Sequence, residues 1–277
     1  MITVFANNKE VPVNMVEFSD GAITFKLYEL PDNPRYISVN VCSTTPVYRV
    51  REEIVLVYDC ILNAYMTDKP SIELNIPYLP YGRADRIFEK GNPNALNCFL
   101  DFLENDLAWV DVINVCDVHN ESSIQHYNIK NKSQLECFKQ SLPHGFNTDY
   151  DIVLAADKGA VDKAQTIASH LEVDVFNCGK EREISTGKII KSTLPDIDFK
   201  GKVVLVPDDL MDGGYTFIKL AEQLREAGVS QVDLYVTHLI ASKGLDIFKG
   251  LIDNIYCYQT VGKYVNKLDV TRFNLNK

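Results

Sequence analysis

The stretch Val203–Thr216, VVLVPDDLMDGGYT, is followed at once by FIKLAEQLREAG. It passes from an apolar run through two adjacent carboxylates, Asp208 and Asp209, and a third, Asp212, to the pair Gly213-Gly214. Val203, Val204, Leu205 and Val206 make the short β-branched run of a strand buried in a parallel sheet, whereas Phe217, Leu220, Ala221 and Leu224 recur at helical spacing. The loop therefore sits at the carboxyl end of a strand. There the following helix turns its free N–H groups and positive dipole end toward a ligand. The residue types suit a phosphorylated sugar. Asp208 and Asp209 can accept hydrogen bonds from a vicinal diol, directly or through Mg²⁺, and the glycine backbone can wrap a phosphate closely. Bare carboxylates would repel that phosphate, so a diol or a metal must mediate; a Walker-type loop would place Lys after its glycines instead. The competing reading of these residues alone is a solvated Asx/Gly turn without a ligand.

The chain has 277 residues, 46% of them hydrophobic, enough for one large or two medium domains. A net charge of −10 argues against a nucleic-acid or anionic-membrane surface, since either needs a basic field. The seven cysteines are scattered, odd in number and never spaced C-x-x-C, which reads as buried thiols in a reducing compartment. MITVFANNKE lacks a basic segment leading into an apolar one, and no run reaches ~18 apolar residues. A cytoplasmic protein is expected.

Periodicity predicts strands at 36–42, 71–78, 109–116, 151–156, 173–177, 203–206, 231–237 and 254–260, with helices at 47–66, 92–106, 160–171, 216–227 and 241–251. FSDGAITFKL at 18–27 alternates after a tight Ser-Asp-Gly turn, and SLPHGFNTDY at 141–150 looks like a boundary. The expected fold is α/β: two similar doubly wound domains, 1–145 and 146–277, each with a mainly parallel sheet flanked by helices.

At Asp208–Thr216 the chain resembles the phosphoribosyl-diphosphate (PRPP) motif of type I phosphoribosyltransferases and PRPP synthetases. That motif has two acidic residues, two variable ones, then Asp-Thr-Gly-Gly-Thr, where this chain has Asp212-Gly213-Gly214-Tyr215-Thr216. Three further stretches lie in the PRPP synthetase order: FSDGA at Phe18–Ala22, IPYLPYGRADR at Ile76–Arg86 and CDVHNESSIQHY at Cys116–Tyr127. The chain thus resembles a short, divergent, phage-type member of the ribose-phosphate pyrophosphokinase (PRPP synthetase) family. The resemblance implies an enzyme that moves the β,γ-diphosphoryl group of ATP to the anomeric hydroxyl of ribose 5-phosphate and releases AMP. It implies Phe18, Asp20, Arg83, Asp85 and Arg86 on ATP, His119 and Asp157 around Mg²⁺ and the phosphates, and Lys180 and Arg182 as cations on the transferring group. Asp157, Lys158, Gly159 and Ala160 would hold the diphosphate through backbone N–H groups. Asp208 and Asp209 would hold the ribose diol, and Asp212, Gly213, Gly214, Tyr215 and Thr216 the 5′-phosphate. The Phe18–Ala22 loop would reach a neighbouring subunit, which implies a homo-oligomer, a dimer or an assembly of dimers. The family's closing helix has no counterpart in VGKYVNKLDVTRFNLNK at 261–277, so the family's hexamer and its ADP/phosphate regulation are not expected.

The departures bear on the acceptor. Ala22 and Ala84 stand where the family has Glu and Gln, Gly213 removes a phosphate-binding hydroxyl, and Tyr215 puts a ring where Gly is usual. An aromatic side chain could cover a longer 5′ substituent, which makes ADP-ribose an acceptor candidate beside ribose 5-phosphate, with ADP-ribose 1-diphosphate as product, usable in nucleotide or NAD synthesis or salvage. Two other readings stay open: a phosphoribosyltransferase, which needs no AMP site, and a catalytically silent regulatory subunit.

Overall fold

The structure, a computed structural model, describes residues 2–87, 89–142, 149–182, 189–264 and 272–274; the side chains of 180–182, 189–192 and 272–274 lie outside the description. Two units divide the chain, Met1–Lys132 and Ser133–Lys277.

The first unit contains β1 (Thr3–Ala6), β2 (Lys9–Val11), β3 (Val13–Glu17), β4 (Ile23–Leu27), β5 (Tyr36–Asn40), α1 (Val47–Ala64), β6 (Ser71–Ile76), α2 (Ala95–Asp106), β7 (Val110–Cys116) and β8 (Ile129–Lys132). Its six-stranded sheet runs β2-β1-β5-β6-β7-β8, with β5 to β8 parallel and β1 antiparallel to both neighbours. Alternation along the strands buries Ile37, Val39, Ile72, Leu74, Ile76, Ile113 and Val115 in a single cluster. The apolar stripes of α1 (Val50, Ile54, Val57, Ile61) and α2 (Leu96, Phe99, Leu100, Leu103) complete that cluster. β3 and β4 form a separate hairpin that anchors there through Ile23, Phe25 and Leu27.

The second unit contains α3 (Gln134–Ser141), β9 (Ile152–Ala155), α4 (Val161–Leu171), β10 (Asp174–Asn177), β11 (Gly179–Arg182), β12 (Ile189–Thr193), β13 (Val203–Met211), α5 (Tyr215–Glu226), β14 (Gln231–Leu239), β15 (Asn254–Thr260) and β16 (Arg272–Asn274). Its sheet runs β10-β9-β13-β14-β15-β16; the first five strands are parallel and β16 is antiparallel. Residue parity separates two cores. Val153, Ala155, Leu205, Tyr235 and Tyr256 pack with α3 and α4 residues, while Leu154, Val204, Val206, Leu234 and Cys257 pack with Phe217, Leu220, Ala221 and Leu224 of α5. Helices thus cover both faces, and the parallel strands follow the doubly wound order 2-1-3-4-5. Strand order reverses between β9 and β13, so a crevice is expected beyond their carboxyl ends. In the first unit, by contrast, the parallel strands follow one another in chain order.

Three sequence expectations shift. The division falls at Lys132/Ser133 instead of near 141–150 because α3 packs with the second unit: Phe138 meets Tyr235 edge-on, with ring centroids 4.9 Å apart. A capping box starts that helix, since Glu136 N–H donates to Ser133 Oγ at 3.3 Å and Ser133 N–H to Glu136 Oε2 at 2.9 Å. β13 runs on to Met211, so both central carboxylates belong to the strand. The helix expected at 241–251 is a loop holding one 3₁₀ turn, Asp246–Phe248, because Ala241, Gly244 and Gly250 take positive φ values of 50°, 75° and 77°. Residues 143–148, within the expected boundary, lie outside the described residues. No helix among the described residues is long and apolar enough to cross a membrane.

Candidate functional site

In the second unit, β9 and β13 end at the reversal of strand order, and three predicted carboxylates gather there. Asp157 follows β9 and caps the short turn Lys158–Ala160; its Oδ1 accepts from Gly159 N–H at 2.8 Å and Ala160 N–H at 3.2 Å. Those two N–H groups, expected to face a diphosphate, are committed to Asp157 in this arrangement. Lys158 is exposed beside them. A Cβ on Gly159 would stand 3.3 Å from Asp157 Oδ1, so the turn leaves little room for a side chain.

Asp208 and Asp209 are neighbours on β13, and Asp209 N–H donates to Asp208 Oδ1 at 2.8 Å. The two carboxyls stand within hydrogen-bond reach of each other at the strand's end. Burial of its carboxyl, then the charge of Asp209 and the hydrogen bond between the two side chains, then the Asp157 charge push Asp208 well above the usual carboxylate range, against the lowering effect of the Asp209 N–H. Crowded negative charge of this kind calls for a proton, a cation or hydroxyl donors. Cys178, after β10, is pushed up to about 11 by burial and by Asp157, which removes it as a nucleophile.

Beyond β13 the chain reaches Asp212, whose Oδ1 is buried without a hydrogen-bond partner. Gly213 is open: nothing lies within 4 Å of where its Cβ would be. Gly214 takes φ +74° and caps α5, and a Cβ there would overlap the Phe248 ring. Tyr215 and Thr216 begin α5 fully at the surface, Tyr215 being 73% exposed. The loop thus offers an orphan carboxylate oxygen, free helix N-terminal N–H groups and an exposed ring. Lys180 and Arg182 lie on the β11–β12 hairpin, where Lys180 pairs with Ser192 and Arg182 with Ile189; their side chains lie outside the description.

In the first unit, the structure ties two of the three predicted ATP-side segments together. Asn120 Nδ2 donates to Asp85 Oδ2 at 3.0 Å, joining the His119 loop to the Arg83–Arg86 loop. Arg83, Arg86 and His119 are exposed. Asp85 therefore links the two loops. Asp20 likewise accepts from Ala22 N–H at 3.0 Å, shaping the hairpin tip on which Phe18 stands 53% exposed. A cavity of about 150 Å³ beside Leu103, Leu107, Val110 and Ile113 includes none of the predicted residues, and it opens where β7 begins.

Sequence reasoning missed Asn120, Asn131 and Phe248. An asparagine at a loop has too many ordinary uses to be singled out, and the Gly214–Phe248 contact joins residues far apart in the chain.

Comparison with known proteins accounts for both units. Residues 135–256 match the phosphoribosyl transferase domain family. The ribose-phosphate pyrophosphokinase of Pyrococcus furiosus is 29% identical over 97% of this chain and 94% of its own length. This chain is similar to the ribose-phosphate pyrophosphokinases over most of its length. The Pyrococcus abyssi pyrophosphokinase is 28% identical over 90% of this chain and 84% of its own, and that of Mycoplasmopsis pulmonis 26% identical over 91% and 77%. The fold also agrees with the phosphoribosylpyrophosphate synthetase of Mycobacterium smegmatis, at a TM-score of 0.70 over 89% of this chain and 80% of that one, with 20% sequence identity. The likeness to pyrophosphokinases extends through the first unit, which the phosphoribosyl transferase domain does not reach.

Proposed function

We propose that this protein transfers the β,γ-diphosphoryl group of ATP to the anomeric hydroxyl of a ribose 5-phosphate unit. The new bond joins the anomeric oxygen to the β-phosphorus, the bond from that phosphorus to the α,β-bridging oxygen breaks, and AMP leaves. One observation carries this reading: the likeness to ribose-phosphate pyrophosphokinases covers 97% of the chain and so includes the segments holding Phe18, Arg83, Arg86 and His119, which a phosphoribosyltransferase does not need.

The catalysis required is mostly positioning and charge neutralisation. Arg83 and Arg86 would bind the ATP phosphates, and Lys180 and Arg182 the transferring group. Asp208 and Asp209 would accept from the ribose diol, and the N-terminus of α5 with Thr216 would hold the 5′-phosphate. Mg²⁺, when bound, would offset charge on the phosphates. The second unit's donor set fits it in part: Asp208 and Asp157 supply hard oxygens and Asp212 Oδ1 has no partner, yet no ready-made group of three or more ligands occurs among the described residues. An ion held by few protein oxygens and completed by water and substrate phosphate is the usual form for magnesium. His119, the other expected metal residue, would act through the first unit's loop.

The acceptor we favour is ADP-ribose. Tyr215 stands exposed on the first turn of α5, and nothing lies within 4 Å of where a Gly213 Cβ would be, so the phosphate end of the site offers room and an aromatic surface for a 5′ extension. The experiment incubates the protein with ATP and Mg²⁺, with ribose 5-phosphate and ADP-ribose in parallel, and follows AMP and product mass. AMP with ADP-ribose supports the capped acceptor; AMP with ribose 5-phosphate alone keeps the reaction and removes the cap. No AMP from ATP with either acceptor, but diphosphate released when PRPP and a nucleobase are supplied instead, would move the protein to the phosphoribosyltransferases, and no reaction in any of these mixtures would leave a silent subunit. A homo-oligomer, a dimer or dimer-based, is proposed because Phe18 stands exposed at the tip of the β3–β4 hairpin.

A further inference from the structure

We infer that Asn120 and Asn131 are positioning residues that hold the His119 loop against the Arg83–Arg86 loop, making the nucleotide side of the site one rigid piece. The inference rests on the diphosphoryl-transfer reading for the purpose of that piece, though not for its geometry.

Asn131 lies on β8, opposite Val115 of β7. Its side chain reaches the loop after β7 on both sides of His119. Oδ1 accepts from Val118 N–H at 3.2 Å, and Nδ2 donates to Glu121 Oε1 at 2.8 Å. The backbone just before these points is under strain: Asp117 is 2% exposed and takes φ +41°, a conformation that persists only where the surroundings over-determine it. Asp117 N–H donates to Lys132 O at 2.8 Å, so β8 grips residues 117, 118 and 121 in succession.

Asn120 then carries the connection outward. Its Oδ1 accepts from Ser122 N–H at 3.2 Å and from Ser122 Oγ at 2.8 Å, while its Nδ2 donates to Asp85 Oδ2 at 3.0 Å. The Asp85 backbone carbonyl accepts from Asn94 Nδ2 at 3.1 Å, and Asn94 Oδ1 caps α2 by accepting from Asn97 N–H at 3.0 Å. A continuous series of hydrogen bonds therefore runs from β8 through the histidine loop and the arginine loop to the start of α2. Asparagine is the residue type this needs. It presents an acceptor and a donor on one short, neutral side chain, whereas aspartate supplies no donor and leucine neither group.

The charge makes the link testable. Asn120→Asp keeps the acceptor for Ser122 but sets a carboxylate against that of Asp85, so the two loops should part. Asn120→Asp/Asp85→Asn restores one donor and one acceptor with the roles exchanged. The loss of a hydrogen bond to a charged group at an exposed site is expected to raise the ATP KM about tenfold. The acceptor KM, kcat and melting temperature of Asn120→Asp should stay near wild type. Because Asp85 is itself among the residues implied on ATP, the exchange is read against Asp85→Asn alone: adding Asn120→Asp in that background should change the ATP KM by no more than about threefold. A merely structural asparagine would lower the melting temperature and impair both substrates alike, and the exchange would rescue nothing; either result overturns the inference. Calorimetric titration with ATP and Mg²⁺ separates this from the catalytic reading. If the wild type binds ATP but forms no AMP, the reaction is wrong, yet the Kd series still decides the inference in the same way. If the wild type binds no ATP, both fall.

Discussion

Gly214→Ala tests how closely the turn before α5 is held against Phe248. Two costs add. The backbone stands at φ +74°, where an alanine loses about 1 kcal/mol relative to glycine. The new Cβ would also overlap the Phe248 ring, which is fully buried and packed in the same cluster as Phe217 and Leu220 of α5, so overpacking should cost about 1–3 kcal/mol more. The sum, about 2–4 kcal/mol, is a large part of the 5–15 kcal/mol typical of a domain, and in a unit of this size should lower the melting temperature by about 5–10 °C. Urea unfolding with hydrogen exchange at the β14 amides reads the loss. Phe248→Leu in the same chain should return part of the overpacking term and leave the backbone term. A Gly214→Ala protein within about 0.5 kcal/mol of wild type would refute the argument, because neither the strain nor the overlap would then be real. Acceptor binding should weaken in parallel, since residue 214 caps the helix proposed to hold the 5′-phosphate.

Burial and the charges of Asp209 and Asp157 raise the Asp208 carboxyl. Its contribution is therefore present below the ordinary carboxylate range and is lost as pH rises through the raised native value. Asp208→Asn should be more stable than wild type at pH 8, with the gap closing toward pH 4, while transfer activity disappears; urea midpoints that track wild type at both pH values would disprove the crowding. Asp151 runs the other way: Val203 N–H donates to its Oδ2 at 2.8 Å, and that bond, aided by Lys202, holds its carboxyl below the usual range. Its contribution is present at neutral pH and lost in acid, so Asp151→Ala should be less stable than wild type at pH 7 and indistinguishable at pH 3 in thermal melts. Phe138→Ala removes a fully buried ring set edge-on against Tyr235 and should cost about 3–5 kcal/mol. Hydrogen exchange should rise at β14 and β15; a rise confined to β6 and β7 would return α3 to the first unit.

Much of the fold was legible in the residues. Val203–Val206 and the Phe217/Leu220/Ala221/Leu224 stripe announced a buried strand and a helix packed on its sheet, and both occur, because alternation and helical spacing are local signals that burial reinforces. The stripes of α1 and α2 were equally plain. Of the site, Asp208, Asp209 and the Gly213-Gly214 pair could be found by chemistry, since few other arrangements put carboxylates and glycines between a buried strand and a helix. The 241–251 helix was misjudged because three residues with positive φ interrupt an apolar periodicity that would otherwise suit a helix. The length of β13 was underestimated because carboxylates usually end a buried strand, and here the pairing with β14 carries it past them.

The sequence by itself determined the α/β class and the strand–loop–helix at Val203–Glu226, and it supplied the groups proposed to bind a ribose and a nucleotide, because each depends on residues close along the chain. Only the tertiary structure decided that β9 and β13 lie side by side, so that Asp157 acts on Asp208; that α3 belongs with the second unit; that Asn131, Asn120 and Asp85 form one series; and that Phe248 makes Gly214 obligatory. Each of these joins segments whose separation along the chain leaves no periodic trace, and each is settled by strand order and close packing.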